Sequence, residues 1–318
     1  MTPDFQRHPH TTAPYVNHPT RRTTKYNRPA RVMYGRPSNF GNQIENRFNL
    51  ERWHERRVLY GAALIDLAGV EQIDIDDPDQ VTQLDGLVGD AKKAAGAYLA
   101  AQRGTLTHEF AEYVDHHEES PLSVLEYAET LGIPATVIDA QLDAYGRCLD
   151  RYDLHVLAIE QTVVDDRWRL AGRLDRIVRL GRDLQFTDGT VMEEGDVVIG
   201  DIKTGRVRVS PAGSPEYWNT YAVQIASYAH SVPYIIAEDA WDEARDEWPW
   251  EIDQRHGLII HLDINNAIEE GVATAQLYHV DLVAGHVAGN LCRQARDWQA
   301  LTNVVQQLAA MPVVVNVR

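Results

Sequence analysis

Residues 168–180 read WRLAGRLDRIVRL and residues 196–203 read DVVIGDIK. Each is a short run rich in β-branched and apolar residues, the length and composition of a strand. Residues 154–164 (LHVLAIEQTVV) precede them, and Asp188-Gly189 marks a hairpin extension over 182–192. Together they predict a strand meander at the centre of the chain. Working outward, helical patterns are predicted upstream: from Ser38, as a cap, through Trp53 to Leu67, then over Val81–His117 with a break near Gly104, then Ser123–Thr130 and Ala135–Asp150 around Gly132-Ile-Pro134. The acidic stretch Glu71–Asp79 reads as a loop. Downstream, a helix is predicted over Glu216–Ala237, passing Pro233, then strands over 256–264 and 275–282 and a closing helix over about 285–310. The order of elements implies an α+β protein with a mixed central β-sheet flanked by helices and preceded by a helical N-terminal region.

Composition narrows the rest. The chain has 318 residues, of which 44% are hydrophobic and 24% charged, enough to bury a sizeable core. No apolar run reaches the roughly 18 residues that a membrane span requires, and no secretory-type apolar segment opens the sequence, so the expected location is the cytoplasm. Cys148 and Cys292 are the only cysteines, too few for a four-cysteine zinc or iron–sulfur site. The net charge of -17 taken whole argues against a nucleic-acid partner. It is unevenly spread, however: residues 1–50 carry eight Lys and Arg against Asp4 and Glu45, a local +6, leaving -23 on the remainder. Residues 1–33 are read as a basic, disordered arm, 34–150 as a helical region, and 151–318 as the sheet with its C-terminal helices, compact with 34–150.

The chemistry-bearing residues lie on the predicted strands. Asp175 sits in Gly172-Arg-Leu-Asp175, and Asp201-Ile-Lys203 closes the next long strand before Thr204-Gly205. Positions i and i+2 of a strand share a face, so Asp201 and Lys203 are co-located, and neighbouring strands can bring Asp175 beside them. Two carboxylates and an ammonium form a kit for phosphodiester hydrolysis. The carboxylates hold a hard divalent cation, which polarises a phosphoryl oxygen and acidifies a water, and the lysine orients the nucleophile or stabilises charge. Alone the pattern is weak, because about 0.6 acid-X-Lys matches are expected by chance in a chain with 47 acids and four lysines. Asp90-Ala-Lys92 is such a match, on a helix where i and i+2 do not face each other. A surface ion pair is the competing reading for Asp175, and a strand-end salt bridge the one for Asp201 and Lys203.

Three further features supply context, each with an ordinary alternative. Gly104-Thr-Leu-Thr-His108 lies on a predicted helix, with the histidine able to ligate a metal or simply to pack. Gln224 and Tyr228, at i and i+4, address one helix side, for the site or for plain packing. Glu160 lies among β-branched residues as an outer carboxylate of the site or as an outward-facing strand position. Arg173, Arg176, Arg206 and Arg208 stand near these residues and could hold phosphates. The stretch Trp241–Trp250 reads as a surface loop or helix end that packs, and His116-His117 offers no zinc site. No phosphate-binding Gly-x-x-x-x-Gly-Lys loop is present, so no ATP chemistry is expected.

In order, Gly104–His108, Gly172–Asp175, Asp201–Gly205 and Gln224–Tyr228 resemble the motifs of the RecB-like branch of the PD-(D/E)XK nuclease superfamily. The resemblance covers about residues 94–282, and Tyr34-Gly-Arg-Pro-Ser38 with Asn49-Leu-Glu-Arg-Trp53 is similar to RecB-like exonucleases of actinobacterial phages. It implies a restriction-endonuclease-like core and a deoxyribonuclease, an exonuclease of recombination, repair or phage DNA metabolism, acting on DNA ends or single strands. It further implies Mg²⁺ or Mn²⁺ held by His108, Asp175, Asp201 and the Ile202 carbonyl. Lys203 would position or activate the attacking water, Gln224 and Tyr228 would line the site and help hold the strand or Lys203, and Glu160 would stand as an outer carboxylate. Relatives that carry an iron–sulfur cluster use four cysteines, so this chain implies the cluster-free version. Oligomers occur in the superfamily, and a recombination or replication protein is a possible partner. Two other classes stay open: a non-catalytic DNA-end-binding or assembly protein on the same fold, and a restriction-type endonuclease.

Overall fold

A computed structural model describes residues 15–17, 31–207, 215–216, 218–236, 243–245 and 247–302. Most of the expected basic arm, Arg208, and the end of the chain from residue 303 lie outside the described residues. Strands β1 (Tyr15–Asn17) and β2 (Arg31–Met33) pair antiparallel as a two-stranded ribbon. The chain then forms α1 (Pro37–Phe40), α2 (Phe48–Ala62), α3 (Pro78–Ala94), α4 (Leu99–His116), α5 (Leu122–Thr130) and α6 (Ala135–Tyr152). The sheet follows with β3 (Leu154–Asp165), β4 (Leu170–Leu180), the short hairpin β5 (Leu184–Gln185) and β6 (Val191–Met192), and β7 (Val197–Lys203). Helix α7 (Asn219–Ala229), β8 (Val232–Ile236), β9 (Glu243–Arg245), β10 (His256–Leu262), α8 (Ile264–Glu270), β11 (Ala275–Asp281) and α9 (Leu282–Gln299) complete it.

The central sheet is mixed, in the order β11-β10-β7-β4-β3-β8-β9, with three-residue β9 extending one edge. Only β7 and β10 pair in parallel within it. The protein is therefore α+β, with a helical region in front of a mixed sheet. Val223 and Ile225 of α7 and Leu282 of α9 pack with Leu170, Leu174 and Ile199 in one core. Ala111 of α4 and Tyr145 of α6 pack with Ile202, Ile260 and Leu262 in another. The helices before residue 150 thus share their core with strands after it.

Several boundaries differ from the sequence expectation for identifiable reasons. Ser38 does not cap a long helix: Pro37 takes the first helical position, and a 3₁₀ turn over Gly41–Gln43 separates α1 from α2. The break in the second long helical pattern falls at Gly96, whose φ of +68 suits glycine, and not at Gly104, which lies inside α4. The expected loop over 71–79 includes the tail of a 3₁₀ turn, and the Asp77 carboxylate caps α3 by accepting from the Asp79 amide at 3.0 Å. The helix predicted over Glu216–Ala237 ends at Ala229, and Pro233, which has no amide to donate, enters strand β8 opposite Val163. Helix α8 was not expected between the last two strands. Of Trp241–Trp250, residues 243–245 form β9 rather than a loop, while the Trp248 indole donates to the Ser231 carbonyl at 2.9 Å, as packing requires.

Trp168 locks the β3–β4 turn onto α9. It is 1% exposed, and a Cβ on Gly289 would fall 2.2 Å from its ring. Gly289→Ala is expected to lower stability by about 1–3 kcal/mol through overpacking, although alanine is the better helix former. Gly146→Ala in α6, where a Cβ would meet nothing within 4 Å, is expected to raise it by about 0.5–1 kcal/mol. Urea unfolding of the two variants beside the wild type checks both signs.

Candidate metal centre

Strands β4 and β7 pair only from Arg176↔Gly200 to Arg179↔Val197. Beyond Gly200, Asp201, Ile202 and Lys203 keep their pairing with β10 but lose β4. A gap opens in the sheet where the two strands part. The Ile202 amide, which a continuous ladder would satisfy with a backbone carbonyl, donates instead to the Asp175 carboxylate at 2.8 Å. An extended residue points its N–H and C=O toward the same edge, so the Ile202 carbonyl also faces this gap.

Three donors converge on it. His108 of α4, Glu160 of β3 and Asp175 of β4 place one ligand atom each within 4.8 Å of one another, the only such group of three among the described residues. His108 Nδ1 lies 3.4 Å from Asp175 Oδ2. Burial pushes the His108 imidazole below its usual range, against the pull of Asp175, which favours the neutral ring. Glu160 reaches the group through a left-handed backbone (φ +51) in the middle of a strand, and is 8% exposed. That conformation re-aims the side chain, and it resolves the ambiguity the sequence left at this position. Burial, reinforced by Asp175, pushes the Glu160 carboxyl up to about 7.

Asp201 and Lys203 do share a face, as strand geometry requires, and form an ion pair. Both look toward α7: Gln224 donates to Asp201 Oδ1 at 3.1 Å, and the Lys203 ammonium lies 4.5 Å from the Tyr221 ring centre. Burial raises the Asp201 carboxyl, with Lys203 opposing. Burial works against the Lys203 ammonium, but Asp201 and Asp175 outweigh it and raise its pKa. The Asp201 carboxylate, paired with Lys203 and Gln224, lies beside the three-donor group. Tyr228 is buried behind, its hydroxyl 3.2 Å from where a Gly172 Cβ would be. Gly104 is likewise a close-approach position, since a Cβ there would lie 2.8 Å from the Thr204 hydroxyl. The small residues of both motifs are what lets α4 and α7 close on the strand ends.

The expected phosphate contacts are revised. Arg176 is fully buried and bonds Asp115 at 2.6 Å and Glu160 at 3.3 Å, so it cannot reach a nucleic acid from this position. Arg173 is half-exposed and paired with Glu160 at 2.5 Å, and Arg206 pairs with the exposed Glu269. Asp115 accepts from the Tyr145 hydroxyl at 2.8 Å, extending a buried chain from α6 to Glu160. Glu112 and Asp115 are legible in the sequence, since from His108 they follow at i+4 and i+7 respectively, the same face of α4. Tyr145 and Tyr221 carried no such signal.

The fold and site define an α+β protein whose split sheet gathers three carboxylates, a histidine and a paired lysine. No protein-family model and no curated protein matches the chain. No helix among the described residues is long and apolar enough to cross a membrane.

Arg176→Met is expected to cost about 3–5 kcal/mol in urea unfolding, because it strands Asp115, whose side chain is fully buried, without a counter-charge. Adding Asp115→Asn should recover part of that loss. Equal stabilities for the single and double variants would refute the pairing.

Proposed function

We propose that this chain is a metal-dependent deoxyribonuclease of the RecB-like PD-(D/E)XK kind, an exonuclease that hydrolyses DNA phosphodiester bonds. The observation that carries the reading is the parting of β4 and β7, around which Asp175, Asp201, Lys203 and His108 collect together with Glu160.

The donor set suits a divalent cation. Two carboxylates and an imidazole are hard or borderline ligands, and separations within 4.8 Å need little contraction to reach the roughly 3–4 Å between neighbouring ligands on an ion with bonds of about 2.1 Å. His108, Glu160 and Asp175 would hold Mg²⁺ or Mn²⁺, with Asp201 and the Ile202 carbonyl at the edge of the same gap. When bound, the ion supplies Lewis acidity toward the phosphoryl oxygen and lowers the pKa of a water. The chain's own residues do the rest. Gln224 fixes Asp201, and Asp201 holds Lys203 in place with its proton retained. Lys203 serves as a hydrogen-bond donor that orients water or steadies charge on the phosphate. The Arg176–Asp115–Tyr145 chain holds Glu160 from behind.

Asp201→Ala and Lys203→Ala should each lower Mg²⁺-dependent cleavage of DNA by at least about a hundredfold, matching the several kcal/mol that such a site supplies, with circular dichroism unchanged. Asp175→Ala and His108→Ala should weaken Mn²⁺ binding in calorimetry. End-labelled linear DNA should be degraded and closed circular DNA spared. Cutting of circles would point to the endonuclease, and metal-independent DNA binding without cleavage to the non-catalytic protein. Wild-type cleavage by Asp201→Ala would sink the reading.

A further inference from the structure

A second charged site stands at the far end of the β3–β4 hairpin. A cavity of about 500 Å³ is lined there by Arg167 and Arg169 from the turn, Arg293, Arg296 and Asp297 from α9, and Tyr34 with Gly35. Four arginines against one aspartate give the lining a charge of +3 in a chain of net -17. The cluster is built, not incidental. Trp168, between the two turn arginines, is seated on Gly289; its indole donates to Asn290 Oδ1 at 3.1 Å, and its carbonyl accepts from Arg296 at 2.6 Å. That packing draws the arginines of the turn and those of the helix together despite their repulsion. Asp165 neutralises Arg167 through contacts of 3.0 and 3.1 Å, and Arg293 reaches Asp297 only at 3.6 Å. Arg169 is exposed, with φ +51 and no anionic partner among the described residues.

Converging guanidinium groups on a rigid frame recognise phosphate, whose oxygens they bind in pairs. Five residues separate Leu170 from Asp175 on β4, and five separate Asp165 from Glu160 on β3, so the pocket lies about 17 Å along the hairpin from the carboxylates. At about 3.4 Å of rise per phosphate in a stacked strand, that is at most about five nucleotides, and fewer for an extended one. We infer that this pocket is a distal subsite for a nucleic-acid backbone phosphate, holding the strand a few nucleotides from the carboxylate cluster. The inference rests on the nuclease reading for its ligand. Arg169 and Arg293 make the phosphate contacts, while Arg296 and Trp168 position them.

The test is binding of a fluorescent 12-nucleotide strand in EDTA, over a range of salt, to Arg169→Glu/Arg293→Glu. The control is Arg52→Glu/Arg147→Glu, which changes charge equally at exposed helix ion pairs. The first double should bind at least tenfold more weakly than the control, with the salt dependence reduced by about two phosphate contacts. A two-nucleotide strand, too short to span the two sites, should not distinguish them. Equal 12-nucleotide affinities for the two doubles would overturn the subsite even if Asp201→Ala abolishes cleavage. The predicted loss in a protein that never cleaves DNA would keep the subsite and discard the nuclease. Inorganic phosphate supplies a further arm: if it binds the wild type and not the first double, while the two doubles bind the 12-mer alike, the pocket belongs to a small anion and the nucleic-acid assignment falls.

Discussion

The hydrogen bond from the Ile202 amide to the Asp175 carboxylate stands where the β4–β7 ladder should have continued. A sheet can end its pairing in mid-strand only if the freed amides find other acceptors, since an unsatisfied buried amide costs on the order of 1–3 kcal/mol. Asp175 supplies that acceptor and is thereby fixed at the mouth of the gap. The other groups are arranged around this substitution. His108 meets Asp175 from α4, Glu160 meets it across the hairpin, and Asp201 and Lys203 follow on the strand that has lost its neighbour.

Gathering carboxylates at the edge of a core carries an electrostatic cost, and the molecule offsets it locally. Arg176 is buried completely between Asp115 and Glu160, Lys203 is held by Asp201, and Arg173 covers Glu160 from outside. Glu160 nonetheless remains pushed up to about 7, and burial is the leading cause. Arg173 and Arg176 offset its charge only in part.

Legibility differed from residue to residue. Asp201 and Lys203 were readable because a strand's period of two requires them to share a face. Gln224 and Tyr228 were readable because a helix's spacing of four does the same, and Gln224 does bond Asp201. The meander and the helix pair before it followed from runs with one dominant period. Arg176 is interior rather than a phosphate contact, and the strand's alternation already places it on the face of Leu174, Val178 and Leu180, away from Arg173. Glu160 is not decidable from the sequence, because its left-handed backbone violates the alternation on which such a decision depends. The Glu216–Ala237 helix ran too long because apolar residues continue past Ala229, and only the pairing of Pro233 with Val163 shows that they belong to the sheet.

The sequence by itself determined the central strands, most of the helices before them and which pairs share a face, because those are consequences of local backbone periods. It also carried the unequal charge that separates a basic leading segment from an acidic body. The tertiary structure alone decided where β4 and β7 part and that Glu160 completes the three-donor group. It alone brought Arg167 and Arg169 of a turn beside Arg293 and Arg296 of a helix more than a hundred residues later. These outcomes depend on burial, on strand register and on the seating of Trp168 against Gly289, and contacts between distant segments leave no periodic trace in a single chain.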